Sequence, residues 1–497
     1  MKPPPLPHPG PVQNIPGQHR RLREALVQIF GNRFGIGQHD PAIIDGRQIA
    51  RWHDLLVIRR PIAALGWAIL ESDPLVSQKD PGFGAIKADG NGIMDHHSCG
   101  PVEICQKEPM PDQTIATREI DVIALLQALI RIPSADPPGG ELAVAQLVHD
   151  TLAAAGIPAE LDEFLPGRAN VLGRVRGSGT APALVFSSHM DTVPTGDLPW
   201  SFDPFAGDIV DDPLGGAPGA RVRGRGATDM KSALAAFIAA AIALQHRETP
   251  LAGDVILAFT AGESANCLGA KRFLDQGLQP EIGGFLCGEP SGLDVVIVEK
   301  AILWLEARAE GQVGHVSGTG GVNAIQLMAG FLRDLDGLAL DLAAHPLLSP
   351  PSINVGTITG GTAVNVTPDL CRAEIDIRFA PGIDPETVRA RIASVAPPGI
   401  RLRITDFKPA VEARPDSPFV ALCQRACAAE TGRAAALRGV SYYSDGAILL
   451  DGIDVPFAIV GPGDLGSSGG VDETVSAENV RRAVRIYQRI AEDWFAL

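Results

Sequence analysis

At 497 residues the chain exceeds what one hydrophobic core serves, so about two or three domains are expected. It is 45% hydrophobic and 20% charged, ordinary for a globular protein, and no apolar run approaches a membrane span. A formal charge of −16 excludes the basic face that a nucleic-acid binder needs, and seven scattered cysteines form no disulfide framework, which fits a reducing cytoplasm.

Residues 1–109 stand apart as an N-terminal extension rich in Pro, Gly and His, with broken periodicity. Short helices are expected near residues 21–30 and 47–58. The start Met1-Lys2-Pro3-Pro4-Pro5 has no secretory pattern. Asp95-His96-His97-Ser98-Cys99 with Cys105 fits no zinc template by spacing. The segment reads as weakly ordered or absent from the working protein, with translation starting at Met110.

From Ile120 the periodicity is clean. Ile120, Val122, Ile123, Leu125, Leu126 and Leu129 mark a helix face that stops before Pro133. Leu142, Val144, Leu147, Val148 and Leu152 mark a second, with Gly156 as its stop. Residues 183–188, 255–260 and 284–287 are continuous apolar runs, as expected of strands covered on both faces. A long Ala-rich helix is expected over 229–245. Alternating strands and helices predict an α/β fold with a largely parallel sheet. Ligands of such sheets sit beyond the strand carboxyl ends, where His189, Asp191, Glu263 and Glu289 all fall.

Taken singly, each of these residues has an ordinary explanation. A histidine after a strand is usually structural, Asp229 before a helix reads as an N-cap, and Glu289 before Pro290 reads as a turn residue. Imidazole and carboxylates recurring at successive strand ends read together as a site for zinc, manganese or cobalt. Gly224-Arg225-Gly226 lacks the third glycine of a dinucleotide loop and reads as a tight turn beside that site.

Between about 301 and 407 the pattern changes. Residues 303–309, 353–359 and 370–379 alternate like half-buried strands, and 322–335 and 386–395 read as amphipathic helices. This predicts an α+β domain (302–407) inserted between two parts of the catalytic domain (110–301 and 408–497). After it, helices are expected over 421–430 and 477–494, and a strand over 455–460. Cys423 and Cys427, four apart on a helix, read as small core residues. Tyr442 and Tyr443 read either as a pocket wall for a flat substrate or as ordinary packing.

The motifs resemble the metallopeptidase family of acetylornithine deacetylase, succinyl-diaminopimelate desuccinylase and aminoacylase. They run from Ser188-His189-Met190-Asp191-Thr192-Val193-Pro194 through Gly224-Arg225-Gly226, Asp229-Met230-Lys231 and Gly288-Glu289-Pro290-Ser291-Gly292. His315, Gly321-Val322-Asn323-Ala324-Ile325, Gly360-Gly361, Asn365, Pro368 and Asp376-Ile377-Arg378 follow in order. The resemblance implies an inserted lid through which a homodimer forms. It implies His189, Asp229 and Glu289 as metal ligands, with Asp229 bridging, Asp191 orienting His189, and Glu263 as general base. It also implies that His315 stabilises an oxyanion in the partner subunit's site, and that Asn365 and Arg378 hold a substrate carboxylate.

The chain departs from the family at the second metal. That metal needs a Glu after the general base and a His near the C-terminus, and here those positions are Ser264 and Gly469. One divalent transition metal, manganese or zinc, is therefore expected. The expected function is hydrolysis of a C–N bond in a small carboxylate-bearing molecule. Two chemistries fit. One is cleavage of an N-acyl amino acid amide. The other is removal of an amino group from an aromatic ring, as in a divergent relative, the aminohydrolase of 5-nitroanthranilic acid. A catalytically silent small-molecule binder is the alternative. No nucleic acid and no membrane partner is expected.

Overall fold

The computed structural model describes residues 120–211, 219–264, 266–315, 317–318 and 321–497. The expectations for residues 1–109, including the helices, the His/Cys cluster and the Met110 start, lie outside them.

The catalytic domain begins with helices α1 (Val122–Ile130) and α2 (Leu142–Ala154). The Asp121 carboxylate caps α1 by accepting N–H bonds from Ile123 and Ala124. Strands β1 (Ala159–Leu165), β2 (Arg168–Val175) and β3 (Ala183–His189) follow, then the short β4 (Ile209–Asp211) and β5 (Ala220–Arg223). Helix α3 (Lys231–Gln245), β6 (Val255–Thr260), α4 (Leu268–Asp275), β7 (Ile282–Cys287) and β8 (Val295–Glu299) complete the first part.

The lid holds β9 (Ala301–Glu310), β10 (Gly314–His315), α5 (Ala324–Asp336), β11 (Ser352–Gly360), β12 (Val366–Thr367), β13 (Leu370–Phe379), α6 (Pro385–Ala393) and β14 (Ile400–Lys408). The chain then returns through α7 (Pro418–Thr431), β15 (Leu437–Val440), α8 (Gly446–Leu449), β16 (Phe457–Ile459), β17 (Thr474–Ser476) and α9 (Ala477–Trp494).

Eight strands form the main sheet in the order β1-β2-β6-β3-β7-β16-β8-β15. Its centre, β6-β3-β7-β16, is parallel throughout. The fold is thus α/β with a mainly parallel sheet. β3, β6 and β7 are buried on both faces, which explains their unbroken apolar sequence. Against them lies α3, buried nearly all round, its alanines letting it pack closely on the sheet and on α1 and α9. Phe186 of β3, Phe237 of α3 and Tyr487 of α9 stack through this layer, with Phe237 centred 4.7 Å from Phe186 and 4.1 Å from Tyr487.

The lid has its own apolar core, formed by α5 and α6 against one face of the sheet β11-β13-β9-β14. β9 and β13 alternate buried and less buried residues as expected. β11 does not: it lies at the sheet edge and is exposed along almost its whole length, whereas β14 at the other edge alternates. The apolar residues Val355 and Ile358 of β11 therefore face solvent.

Candidate active site

The sheet order explains the site. β6, β3 and β7 are neighbours and parallel, so their carboxyl ends deliver Glu263, His189 and Glu289 to one place. Asp229 arrives from the turn before α3. His189 Nδ1 lies 2.9 Å from the Asp191 carbonyl oxygen, and Nε2 faces Asp229 Oδ1 at 3.0 Å and Glu289 Oε1 at 3.5 Å. Donation from Nδ1 to a carbonyl leaves the Nε2 lone pair for a cation. One donor atom each from His189, Asp229 and Glu289 lies within 4.8 Å of the others.

Burial, reinforced by Asp229, pushes the Glu289 carboxyl well above the usual range. Burial opposes a charged His189, yet Glu289, Asp191 and Asp229 together hold it well above its ordinary value. Imidazole, the buried Glu289 carboxylate and the half-buried Asp229 carboxylate are a donor set with surplus negative charge that a divalent cation would neutralise. Asp229 makes no capping bond to α3, so the N-cap explanation fails for it.

Glu263 is buried, and burial pushes its carboxyl well above the usual range, partly offset by His189. Asp191 carries its chemistry through two different atoms. Its carbonyl takes the His189 ring, whereas its carboxylate accepts the backbone N–H groups of Glu263 and Ser264, each at 3.0 Å. The carboxylate is 3.7 Å from His189 Nδ1. Asp191 thus links the histidine loop to the Glu263 loop.

The loop carrying Asp229 is anchored by residues that sequence reasoning left unassigned. Glu473 Oε1 accepts the N–H groups of Thr228 at 2.7 Å and Asp229 at 3.1 Å, and its Oε2 takes Arg225 Nη1 at 2.6 Å. Arg225 also donates to the carbonyls of Pro194 and Gly469. Each stands inside a motif, Glu473 four residues past Gly469 and Arg225 between two glycines, but their pairing joins segments 248 positions apart. A further buried carboxylate, Asp445, is pushed up to about 6 by burial and hydrogen-bonds Thr260 at the end of β6.

At the positions of the expected second metal, the Ser468 hydroxyl donates to Asp229 Oδ2. Gly469 has φ +74, and a Cβ there would meet only Val193 Cγ2, at 3.6 Å.

Tyr442 and Tyr443 follow β15. Tyr442 Oη donates to the Pro290 carbonyl at 2.7 Å, and Tyr443 Oη to the Glu263 carbonyl at 3.1 Å. Arg378 of β13 pairs with Asp376 and reaches across to the Ser441 carbonyl at 2.8 Å. His315 and Asn365 are exposed on the β10–β12 pair and its approach, and no hydrogen bond joins either to the donor cluster.

Comparison with known proteins agrees with this geometry. The model of "Peptidase family M20/M25/M40" matches residues 185–493. The chain is 33% identical over 396 residues to a succinyl-diaminopimelate desuccinylase of Paracoccus denitrificans, covering 76% of this chain and 99% of that protein. The same enzyme of Methylobacterium radiotolerans is 30% identical over 401 residues, covering 75% and 96%. Among solved structures, the M20 family metallo-carboxypeptidase Sso-CP2 of Sulfolobus solfataricus superposes with a TM-score of 0.61 at 16% identity, covering 76% of this chain and 100% of that one. With the strand-end donor cluster, the buried Glu263 and the inserted lid, the chain belongs to peptidase family M20/M25/M40 and is a metal-dependent hydrolase.

Proposed function

We propose that the chain hydrolyses the amide C–N bond of a small N-acyl amino acid with one divalent transition metal, zinc or manganese, held by His189, Asp229 and Glu289. The observation that carries the single-metal reading is at Asp229. Its Oδ1 faces His189, and its Oδ2 accepts the Ser468 hydroxyl. A carboxylate bridging two cations needs that outer oxygen, and neither Ser264 nor Gly469 offers an anionic or imidazole donor beside it. The desuccinylase relatives support amide chemistry on a substrate rich in carboxylates. The hydroxyls of Tyr442 and Tyr443 are bonded to backbone carbonyls, which ties the pair into the fold.

When bound, the cation supplies a Lewis acid and lowers the pKa of water. Glu263 then takes the proton from water and returns it to the departing nitrogen. Asp191 holds the Glu263 and Ser264 amides, and with them the approach of that carboxylate. Arg378 has donated to Asp376 and Ser441, which leaves one N–H on each terminal nitrogen for a substrate carboxylate. Asn365 lies on the lid as a second contact. His315 would serve the partner subunit's site as an oxyanion donor in a homodimer. Exposed Val313, Val355, Ile358 and Val364 on the lid support such a contact between copies. We place the enzyme in the cytoplasm.

The test is metal analysis of the purified protein together with product identification by mass spectrometry on N-succinyl and N-acetyl amino acids and on aminobenzoates. One metal per subunit and acyl release, lost in Glu263→Gln with metal retained, is the expected result. Two metals per subunit, or ammonia released from aminobenzoates alone, contradicts it.

A further inference from the structure

Lys408 ends β14, where the lid returns to the catalytic domain, and its side chain is wholly buried. Its ammonium pairs with Asp406 and lies 3.9 Å from the centre of the Trp304 ring and 4.7 Å from that of Tyr443. A buried cation between two aromatic faces is held by both ring quadrupoles and by the ion pair. Trp304 belongs to the lid strand β9, and Tyr443 to the catalytic domain. The contacts continue in both directions. Trp304 Nε1 donates to Asp376 Oδ2 at 2.9 Å, and Asp376 Oδ1 takes Arg378 Nε at 2.9 Å. On the other side, Tyr443 Oη donates to the carbonyl of Glu263. Arg378 also bonds the Ser441 carbonyl, two residues before Tyr443.

We propose that Lys408 is a positioning residue, the buried joint of a relay Arg378–Asp376–Trp304–Lys408–Tyr443 that fixes the Glu263 backbone to the lid. The geometry makes a specific demand. Tyr443 meets Glu263 through one hydroxyl, and the Lys408 ammonium over its ring holds the ring's orientation. Without that cation the ring has freedom to tilt, and the Glu263 carbonyl is left with the Cys267 N–H, at 3.0 Å. The loop is then held by Asp191 on the Glu263 and Ser264 amides, Glu141 on the Gly262 amide and Asn170 on the Ala261 amide, none of which belongs to the lid. A carboxylate settling on Arg378 pulls on the same Asp376 that holds Trp304, so the lid contact and the general base move as one unit. The charge matters as much as the bulk, because a neutral side chain of equal length pairs with neither Asp406 nor the rings. This inference rests on Glu263 as the base and Arg378 as the carboxylate contact.

Two readouts separate a positioning role from a merely structural one. In the first, hydrogen exchange of the 261–267 segment is measured in the metal-loaded protein for Lys408→Met, Tyr443→Phe and the double variant. Each single change raises exchange there, the double change raises it no further, and Lys408→Arg restores protection. In the second, Lys408→Met and Tyr443→Phe each lower kcat roughly ten- to a hundredfold on the N-acyl amino acid found to be cleaved, with KM unchanged. Arg378→Ala instead raises KM. Additive exchange effects, exchange raised across the whole sheet, or no change at 261–267 overturns the relay. If exchange follows the relay but kcat does not fall, the relay as a positioning device for the base is overturned, whereas the contact itself stands. If no N-acyl amino acid is cleaved, the functional reading fails, and the exchange measurement still decides the relay.

Discussion

The two sides of Asp229 differ in kind. On one side, Oδ1 faces an imidazole and a second carboxylate, delivered by adjacent parallel strands and buried in surplus negative charge. On the other, Oδ2 meets a serine hydroxyl in an open loop where Gly469 has room around it. The contrast teaches where ligand geometry comes from. The side of His189 and Glu289 is built on strand ends that the whole sheet holds in place. The other side rests on Ser264 beyond β6 and on the loop of Gly469, which Arg225 holds by the Gly469 carbonyl and the Glu473 carboxylate. A site on sheet ends resists drift, because moving one donor moves a strand. A loop donor is lost with one substitution.

The sharpest way to break the contrast is to truncate one side chain on each side. His189→Ala removes the imidazole and leaves the carboxylates of Asp229 and Glu289 without it. Metal content should fall to a small fraction of one per subunit, and kcat/KM by at least about a thousandfold, roughly 4 kcal/mol of transition-state stabilisation. Ser264→Ala on the other side should change both by less than about threefold, since its backbone N–H, not its side chain, is bonded to Asp191. Equal losses would show that the second side holds a working cation.

A subtler effect belongs to a buried carboxylate outside the donor cluster. Glu299, at the end of β8, is wholly buried, with Oε2 on the Ser444 hydroxyl and Oε1 without a partner. Burial pushes its carboxyl from 4.5 up to about 8. The sign follows from linkage. Between those values the native protein keeps a proton that the unfolded chain releases. The stability tied to Glu299 is therefore complete below about pH 4.5 and is lost as pH rises towards 8, by at most about 1.4 kcal/mol per unit. Glu299→Gln should flatten this fall, so that its denaturant midpoint exceeds the parent's at pH 8 and the gap narrows towards pH 5. Lys231 acts in the opposite sense. Burial lowers it to about 7, so its contribution improves above that pH. It is common to both proteins and cancels in the difference. A gap that is constant across pH would place the Glu299 charge elsewhere.

What the sequence disclosed follows the same division. The α/β class, the inserted domain and the strand-end donors were legible because they rest on periodicity and on chemistry-bearing residues at strand ends. His189, Asp229 and Glu289 meet as expected. Asp191 was legible as a supporting acid, though its carbonyl rather than its carboxylate meets the ring. The anchors were not. Glu473 and Arg225 lie 248 positions apart and reveal their pairing only when β17 pairs with β5. The exposure of β11 was equally hidden, because an alternating pattern reads the same at a sheet edge as in its middle. The fate of the tyrosine hydroxyls depends on loops that no local pattern encodes.

Two glycines, one on each side, give the finest comparison. Gly288 precedes Glu289, and a Cβ there would lie 2.6 Å from the Ala233 Cβ and 2.7 Å from the Phe237 ring. Neither neighbour yields easily, since both belong to the stack of α3 against the sheet. Gly288→Ala should therefore cost about 1–3 kcal/mol by overpacking and displace Glu289, lowering metal affinity along with stability. Gly469→Ala meets space, but φ +74 opposes any Cβ, so the cost should be about 1 kcal/mol with metal content and kcat unchanged. The same strain bears on rebuilding the second site. Ser264→Glu with Gly469→His supplies two donors, yet the histidine must either hold a left-handed backbone or release the carbonyl from Arg225. Calorimetric titration should therefore show a second site weaker than the first. A second site as tight as the first would mean that the loop rearranges freely, and that side-chain identity alone separates the two sides of Asp229.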